Sequence, residues 1–134
     1  MRLLLDVNTL VPPGFSNHEL HEPVARWVKT RSQQDNEFAT CAITKLGFVR
    51  ILVQIPQHGF SVAQAKHLLL GLKSADNFRF VFLRDDVDAS QLPSWVKTPK
   101  QVTDGHLAQL AKAHGAVLAT LDRGIPGALV IPQK

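Results

Sequence analysis

Short apolar runs that stop abruptly at polar residues recur along the chain. Leu3-Leu4-Leu5 ends at Asp6, and Phe and Val alternate over residues 79–83. Runs this short favour buried strands over helices, and residues such as Phe38 and Thr40 strengthen that preference. We therefore predict strands at residues 2–5, 37–41, 79–83 and 117–121, and a shorter fifth strand at 128–131.

Between these runs, apolar residues recur at the spacing of a helix face. The first helix is predicted to begin after an Asn17 N-cap and to bury Leu20, Val24, Trp27 and Val28. Three further helices are predicted to start at Thr44, at Ser61 and at Thr103–Asp104, the last of them ending at His114-Gly115. Polar and proline-rich residues predict loops at 6–14, 32–36 and 84–100.

Strands that alternate with helices favour a parallel sheet covered on both faces. The predicted fold class is therefore α/β: a three-layer α/β/α sandwich around a central, mainly parallel sheet of four to five strands. A length of 134 residues fits one domain, so we expect residues 1–134 to fold as a single unit.

Composition indicates which partners and which cellular location suit the protein. Fifteen Lys and Arg residues against eleven Asp and Glu give a net charge of +4, which favours association with a polyanion. A single cysteine excludes an internal disulfide framework, and the apolar runs fall far short of the roughly 20 residues of a membrane span. Asp6 interrupts the apolar start too early for a signal peptide. We expect a cytoplasmic protein with no membrane segment.

Three acids occupy the positions where an α/β sheet binds ligands. Asp6 ends the first predicted strand, Asp122 follows the fourth, and Asp104 lies in the first turn of the last long helix. Ligands of open α/β sheets bind at the carboxyl ends of the strands, so these carboxylates are expected to converge. Hard oxygen ligands suit Mg²⁺ or Mn²⁺, which activate water in phosphodiester hydrolysis.

Each acid also has a purely structural interpretation. Asp6 is suited to closing a turn after the strand, and Asp122 to forming a turn before Gly124. Asp104 is a favourable anion at a helix N-terminus, with Thr103 as the cap. The metal site requires all three to act together.

Four segments resemble a known family in order and spacing. They are Leu-Leu-Leu-Asp-Val-Asn at 3–8, Ile-Thr-Lys-Leu-Gly-Phe-Val-Arg at 43–50, Thr-Asp-Gly-His-Leu-Ala at 103–108, and Leu-Ala-Thr-Leu-Asp-Arg at 118–123. Together they resemble PIN domains, and more closely the VapC-type toxin of VapBC toxin–antitoxin modules. The resemblance covers essentially the whole chain and implies one PIN domain over 1–134 with metal-dependent endoribonuclease activity.

The resemblance also implies roles for particular residues. Asp6, Asp104 and Asp122 match catalytic acids that bind one or two Mg²⁺ or Mn²⁺ ions. Supporting roles fall to Asn8 beside the first acid, to Thr44, and to Arg123, whose cation is placed to contact the RNA backbone. The implied partners are RNA, a cognate VapB-like antitoxin and a second copy of the chain in a homodimer. Val28, Leu69 and Leu72 are expected to be exposed for such contacts.

One position departs from the family pattern. After the threonine that Thr44 matches, the family normally places a glutamate, and this chain has Lys45. The ammonium either pairs with the carboxylates and opposes the metal, or extends outward along the helix and leaves a site of three acids. The alternative function is therefore a weakened or inactive PIN-like module that binds RNA or an antitoxin. A DNA-directed, flap-type nuclease is a more distant alternative.

Overall fold

A five-stranded, entirely parallel sheet forms the centre of the molecule. The computed structural model describes residues 1–14, 21–34, 36–55, 59–73 and 80–132. Its strands are β1 (Arg2–Leu5), β2 (Glu37–Cys41), β3 (Phe80–Leu83), β4 (Ala116–Thr120) and β5 (Leu129–Val130), in the order β3-β2-β1-β4-β5. Leu4 of β1 is level with Ala39 of β2 and Leu118 of β4. The predicted parallel sheet is confirmed, with β4 one residue earlier than expected.

Within the described ranges, five helices and two short 3-10 helices connect the strands. The helices are α1 (Val7–Gly14), α2 (His21–Ser32), α3 (Ala42–Gln54), α4 (Val62–Lys73) and α5 (Val102–Ala113), and the 3-10 helices are Ala89–Gln91 and Pro99–Gln101. None of the helices in the described ranges has the length and apolar character that crossing a membrane requires.

Side chains of the central strand alternate between two cores. Leu3 and Leu5 are buried with residues of α1 to α4, whereas Leu4 is buried on the other face with Leu107 and Leu110 of α5. Because successive side chains of a strand point to opposite faces, the continuous apolar run of β1 satisfies both layers at once. This confirms the α/β/α arrangement.

The first helix of the fold was not predicted. Residues 6–14 were expected to form a loop because of Pro12-Pro13-Gly14, but the chain enters α1 directly after β1. Asp6 starts this helix: its Oδ1 accepts a hydrogen bond from the backbone N–H of Thr9 at 2.9 Å. An N-cap of this kind satisfies a backbone donor that the helix itself leaves free. The predicted Asn17 cap and Leu20 lie outside the described residues.

Two predicted helix starts were wrong by a few residues. The N-cap of α3 is Cys41, not Thr44, and Thr44 closes the first turn from inside by accepting from the Cys41 N–H at 3.0 Å. The N-cap of α5 is Gln101, so Thr103 lies within the helix and is not its cap. Ser61 does cap α4, where its hydroxyl accepts from the Gln64 N–H at 3.1 Å.

The expected exposed contact residues were also wrong. Val28, Leu69 and Leu72 belong to the core, with at most 8% of their surface exposed. They lie on the inner faces of α2 and α4. The helical spacing of apolar residues that suggested an exposed surface forms the side of each helix that faces the core. The large exposed hydrophobic residues in the described ranges include Leu46, Val62, Leu70 and Phe82.

Candidate active site

Asp6 is the most buried of the predicted acids. It directly follows β1, at the carboxyl end of the central strand, and only 4% of its surface is exposed. Besides capping α1, it receives a hydrogen bond on Oδ2 from the hydroxyl of Thr120, the last residue of β4. Two donors from different elements therefore fix this carboxylate at the edge of the sheet.

Asp122 is joined to the same network through Thr120. Its backbone N–H donates to Thr120 Oγ1 at 3.0 Å, and its own Oδ1 accepts from the Gly124 N–H at 2.8 Å. The second bond is the turn that the structural interpretation of Asp122 predicted. Asp122 is exposed, so the turn holds a carboxylate at the rim of the site.

Asp104 reaches the site from the first turn of α5. Two contacts fix this part of the helix. Gly105 packs so closely against the preceding loop that a Cβ there would lie 2.2 Å from Val96 Cγ2. His106 Nε2 lies 2.5 Å from Oδ2 of Asp85, which follows β3. The helix is thus attached to the same side of the sheet at which β1 and β4 end.

The charges of the three carboxylates affect one another. Burial raises the pKa of Asp6, the hydrogen bonds from Thr120 and Thr9 partly offset that rise, and the charge of Asp122 adds to it. Burial also raises the pKa of Asp104, and the charges of Asp6 and Asp122 raise it further. Repulsion between like charges in a partly buried site is relieved by a cation.

The geometry stops short of an assembled coordination shell. Within the described ranges, no group of three His, Cys, Asp or Glu side chains lies close enough together to hold a metal ion by itself. The all-oxygen donor set and its mutual repulsion nevertheless fit a hard divalent cation. Mg²⁺ usually retains several water ligands, so it does not need three protein carboxylates in direct contact.

Sequence comparison identifies relatives over most of the chain. Ribonuclease VapC44 of Mycobacterium tuberculosis is 38% identical over 133 residues, covering 93% of this chain and 89% of the relative. Ribonuclease VapC38 of the same organism is 34% identical, covering 91% of this chain and 86% of the relative. The chain belongs to the VapC ribonuclease family. No protein-family model matches it.

A solved structure supports the VapC-like fold independently. A chain from the crystal structure of VapBC2 from Rickettsia felis, bound to a DNA fragment from their promoter, matches with a TM-score of 0.66. The match covers 97% of each chain at 15% sequence identity. At this identity the likeness concerns the fold, and it supports the PIN-like arrangement of sheet and helices.

The side chain of Lys45 contacts an aromatic ring in this VapC-family chain. Its Nζ lies 4.4 Å from the centre of the Phe82 ring on the edge strand β3. Of the two positions considered for this side chain, the contact with Phe82 matches the outward one. Glu37, the nearest acid before α3, pairs instead with Arg2 at 2.6 Å, at the opposite end of the sheet.

The supporting residues occupy varied positions. Asn8 lies on the exposed side of the first turn of α1, and Arg123 is exposed beside Asp122. Thr44 is fully buried and binds the backbone of Cys41. Sequence reasoning missed Thr9 and Thr120, which donate hydrogen bonds to the Asp6 carboxylate. An Asp followed three residues later by Thr is an N-cap signal that could have identified the first of them.

Proposed function

We propose that this chain is a metal-dependent endoribonuclease, the toxin of a type II toxin–antitoxin module. The observation that carries the proposal is the group of three acids at the carboxyl edge of the sheet, where burial, with a further contribution from neighbouring carboxylate charges, raises the pKa values of Asp6 and Asp104. Relatives named ribonucleases, 34–38% identical, support the assignment to RNA hydrolysis. The substrate bond is an RNA phosphodiester.

Asp6, Asp104 and Asp122 would hold the Mg²⁺ or Mn²⁺ ion. When bound, the ion would supply an activated water and neutralise charge on the phosphate. The remaining work falls to the protein. Thr9 and Thr120 hold the Asp6 carboxylate in one orientation, and Asp104 comes from a helix end fixed by its packing. All three carboxylates must be unprotonated to bind a cation.

RNA would approach from the exposed rim. Arg123 adjoins Asp122 on the exposed turn, so its guanidinium is suited to binding a backbone phosphate. The net charge of +4 favours the encounter with a polyanion. Asn8 lies on the exposed side of α1 two residues after Asp6, and Thr44 stabilises the start of α3.

The remaining proposals concern setting and partners. We propose a VapB-like antitoxin partner, supported by the fold match to a chain of a VapBC2 complex. A homodimer, a single PIN domain over 1–134 and a cytoplasmic location complete the proposal.

A second candidate function rests on Lys45. A family member with this lysine in the usual glutamate position, and without an assembled coordination shell in its described part, fits a weakened or inactive module that binds RNA or an antitoxin. Lys45→Glu separates the candidates: a large gain in Mn²⁺ affinity by isothermal titration, relative to Lys45→Gln, supports the weakened module.

RNA cleavage tests the proposal directly. Antitoxin-free protein is incubated with a panel of structured RNAs and Mg²⁺ or Mn²⁺, beside its Asp6→Asn variant. A matched control is Asp86→Asn, which neutralises an exposed acid in the loop after β3. We expect cleavage by the unchanged protein and by the control, and loss of cleavage in Asp6→Asn. Absence of cleavage by folded, unchanged protein would overturn the proposal in favour of the binding module.

A further inference from the structure

The backbone of Lys45 lies near the edge of the sheet that carries the carboxylates, although its ammonium lies over the ring of Phe82. The register that sets Leu4 beside Ala39 brings Asp6, two residues on, level with Cys41. Lys45 follows Cys41 by one helical turn, a rise of about 6 Å along α3. A long, flexible lysine stem at this position has the carboxyl edge of β1 within its range.

The contact between α1 and α3 keeps these elements together. A Cβ on Gly47 would lie 2.5 Å from Cγ2 of Val7, the residue that follows Asp6. The beginning of α3 therefore packs directly on the segment that carries the first acid. Because this contact sets the position of α3 beside α1, the direction of the Lys45 side chain decides where its charge lies.

Phe82 provides the alternative position for that charge. β3 is the edge strand, two strands from β1, so the ring lies about 10 Å to the side of the central strand. Phe82 is 48% exposed, and the ammonium of Lys45 lies over its face at 4.4 Å. An aromatic face attracts a cation through its quadrupole.

We propose that Phe82 is a positioning residue that holds the Lys45 ammonium away from Asp6, Asp104 and Asp122, and so keeps the acid site available to a divalent cation. Without the ring, the ammonium becomes an internal competitor for the carboxylates. The inference rests on the proposed metal-dependent function, but it concerns a contact between two side chains that is measurable without metal.

Binding of Mn²⁺, measured by isothermal titration in a double-mutant cycle, tests the role of the ring. Phe82→Leu keeps an apolar residue on the strand, and Lys45→Met keeps the length of the side chain without its charge. A cation–π contact at an exposed site corresponds to a population ratio of about two- to fivefold, so Phe82→Leu should weaken Mn²⁺ binding by about that factor. In the Lys45→Met background the same substitution should leave Mn²⁺ binding unchanged.

The matched control is Leu46→Ala, which removes the exposed apolar side chain next to Lys45 and should not alter Mn²⁺ binding. Equal weakening in both backgrounds would show that Phe82 acts only through the structure of the edge strand, and would overturn the proposal. If Phe82→Leu leaves Mn²⁺ affinity unchanged in the chain that keeps Lys45, the proposal is overturned as well.

A metal-free measurement separates this inference from the proposed function. In the NMR spectrum of the unchanged protein, the side-chain protons of Lys45 next to the ammonium should be shifted upfield by the Phe82 ring. They should respond to Asp6→Asn only when Phe82→Leu is also present, because only then does the ammonium approach the acids. If the unchanged protein binds no Mn²⁺, the proposed function fails, and the Lys45 signals still decide the inference. If the Lys45 signals do not change on Asp6→Asn either with or without Phe82→Leu, the inference is overturned.

Discussion

The hydroxyl of Thr120 donates a hydrogen bond to Oδ2 of Asp6 across 114 positions of sequence. The same hydroxyl oxygen accepts the N–H of Asp122 at 3.0 Å. One side chain therefore orients the most buried acid and anchors the turn that carries another. Outer residues of this kind commonly control how well a metal site binds its ion.

Replacing Thr120 with valine should disable the site without removing an acid. Thr120→Val keeps the shape of the side chain but loses both hydrogen bonds, and Asp6 loses an interaction that lowers its pKa. We expect Mn²⁺ affinity to fall by about 10- to 100-fold, as for other residues that support metal ligands. Isothermal titration measures the change. Thr120→Ser, which retains the hydroxyl, should bind nearly as well as the unchanged protein, and equal weakening in both variants would contradict the role assigned to the hydroxyl.

The raised pKa values predict an unusual dependence of stability on pH. The pKa of Asp104 is raised above its ordinary value of 3.8, so its ionised form disfavours the native state. This cost is fully present above the raised pKa and disappears as the pH falls toward 3.8, because the native state binds the proton more tightly than the unfolded chain. Metal-free Asp104→Asn should therefore melt at a higher temperature than the unchanged protein at pH 7, and the difference should shrink in acid.

Thermal unfolding with and without Mn²⁺ completes that prediction. A bound cation stabilises the native state by an amount that grows with the logarithm of its affinity, so the same excess of Mn²⁺ should raise the melting temperature of the unchanged protein more than that of Asp104→Asn. Asp86→Asn serves as the control for a lost charge at an exposed position. A pH-independent difference between Asp104→Asn and the unchanged protein would contradict the raised pKa.

The contact between α1 and α3 depends on the absence of a side chain at position 47. Gly47→Ala would place a Cβ 2.5 Å from Val7 Cγ2 and 3.0 Å from Cγ1, so the Val7 side chain or one of the two helices must shift. Overpacking of this kind costs about 1–3 kcal/mol of unfolding free energy. Denaturant titration measures it, and Val7→Ala in the same chain should restore much of the loss. If Val7→Ala lowers the unfolding free energy of Gly47→Ala further, Val7 is not the residue with which the new Cβ clashes.

Thr40 offers a stabilising substitution in β2. Its side chain is fully buried, and Oγ1 has no hydrogen-bond partner among the residues that the structure describes. Thr40→Val replaces this hydroxyl with a methyl group of similar size, so we expect unfolding free energy to rise by about 1 kcal/mol. Cys41→Ala, at the next buried position of the strand, is a useful contrast because it opens a cavity and should destabilise. A loss of stability in Thr40→Val would indicate that the hydroxyl has a partner in solution.

The strands could be predicted because each apolar run is short and ends at a polar residue. Residues 2–5 and 37–41 match β1 and β2 without adjustment. The first helix could not be predicted, because Pro12-Pro13-Gly14 is typical of a loop. In the structure, capping by Asp6 and the packing of Leu10 in the core favour a helix there. Tertiary burial overrides local propensity in such a short segment.

The candidate site also has features that the sequence predicts and features that it does not. The three acids were predictable because the ends of parallel strands share one edge. The link from Thr120 to Asp6 was not, since it depends on the register of β1 against β4 and not on any local pattern. The direction of Lys45 was left open by the sequence, because Phe82 on a distant segment determines it.

The order of the elements along the chain has a consequence for protein synthesis. Asp6 precedes Thr120 by 114 positions, so it leaves the ribosome well before Thr120 and Asp122. β4, which carries Thr120, is also the neighbour that completes one side of the central strand. A nascent chain that stalls before residue 120 holds the first acid without the hydroxyl that orients it. A nuclease that depends on this arrangement cannot form its site before the segment that carries Thr120 and Asp122 has been synthesised.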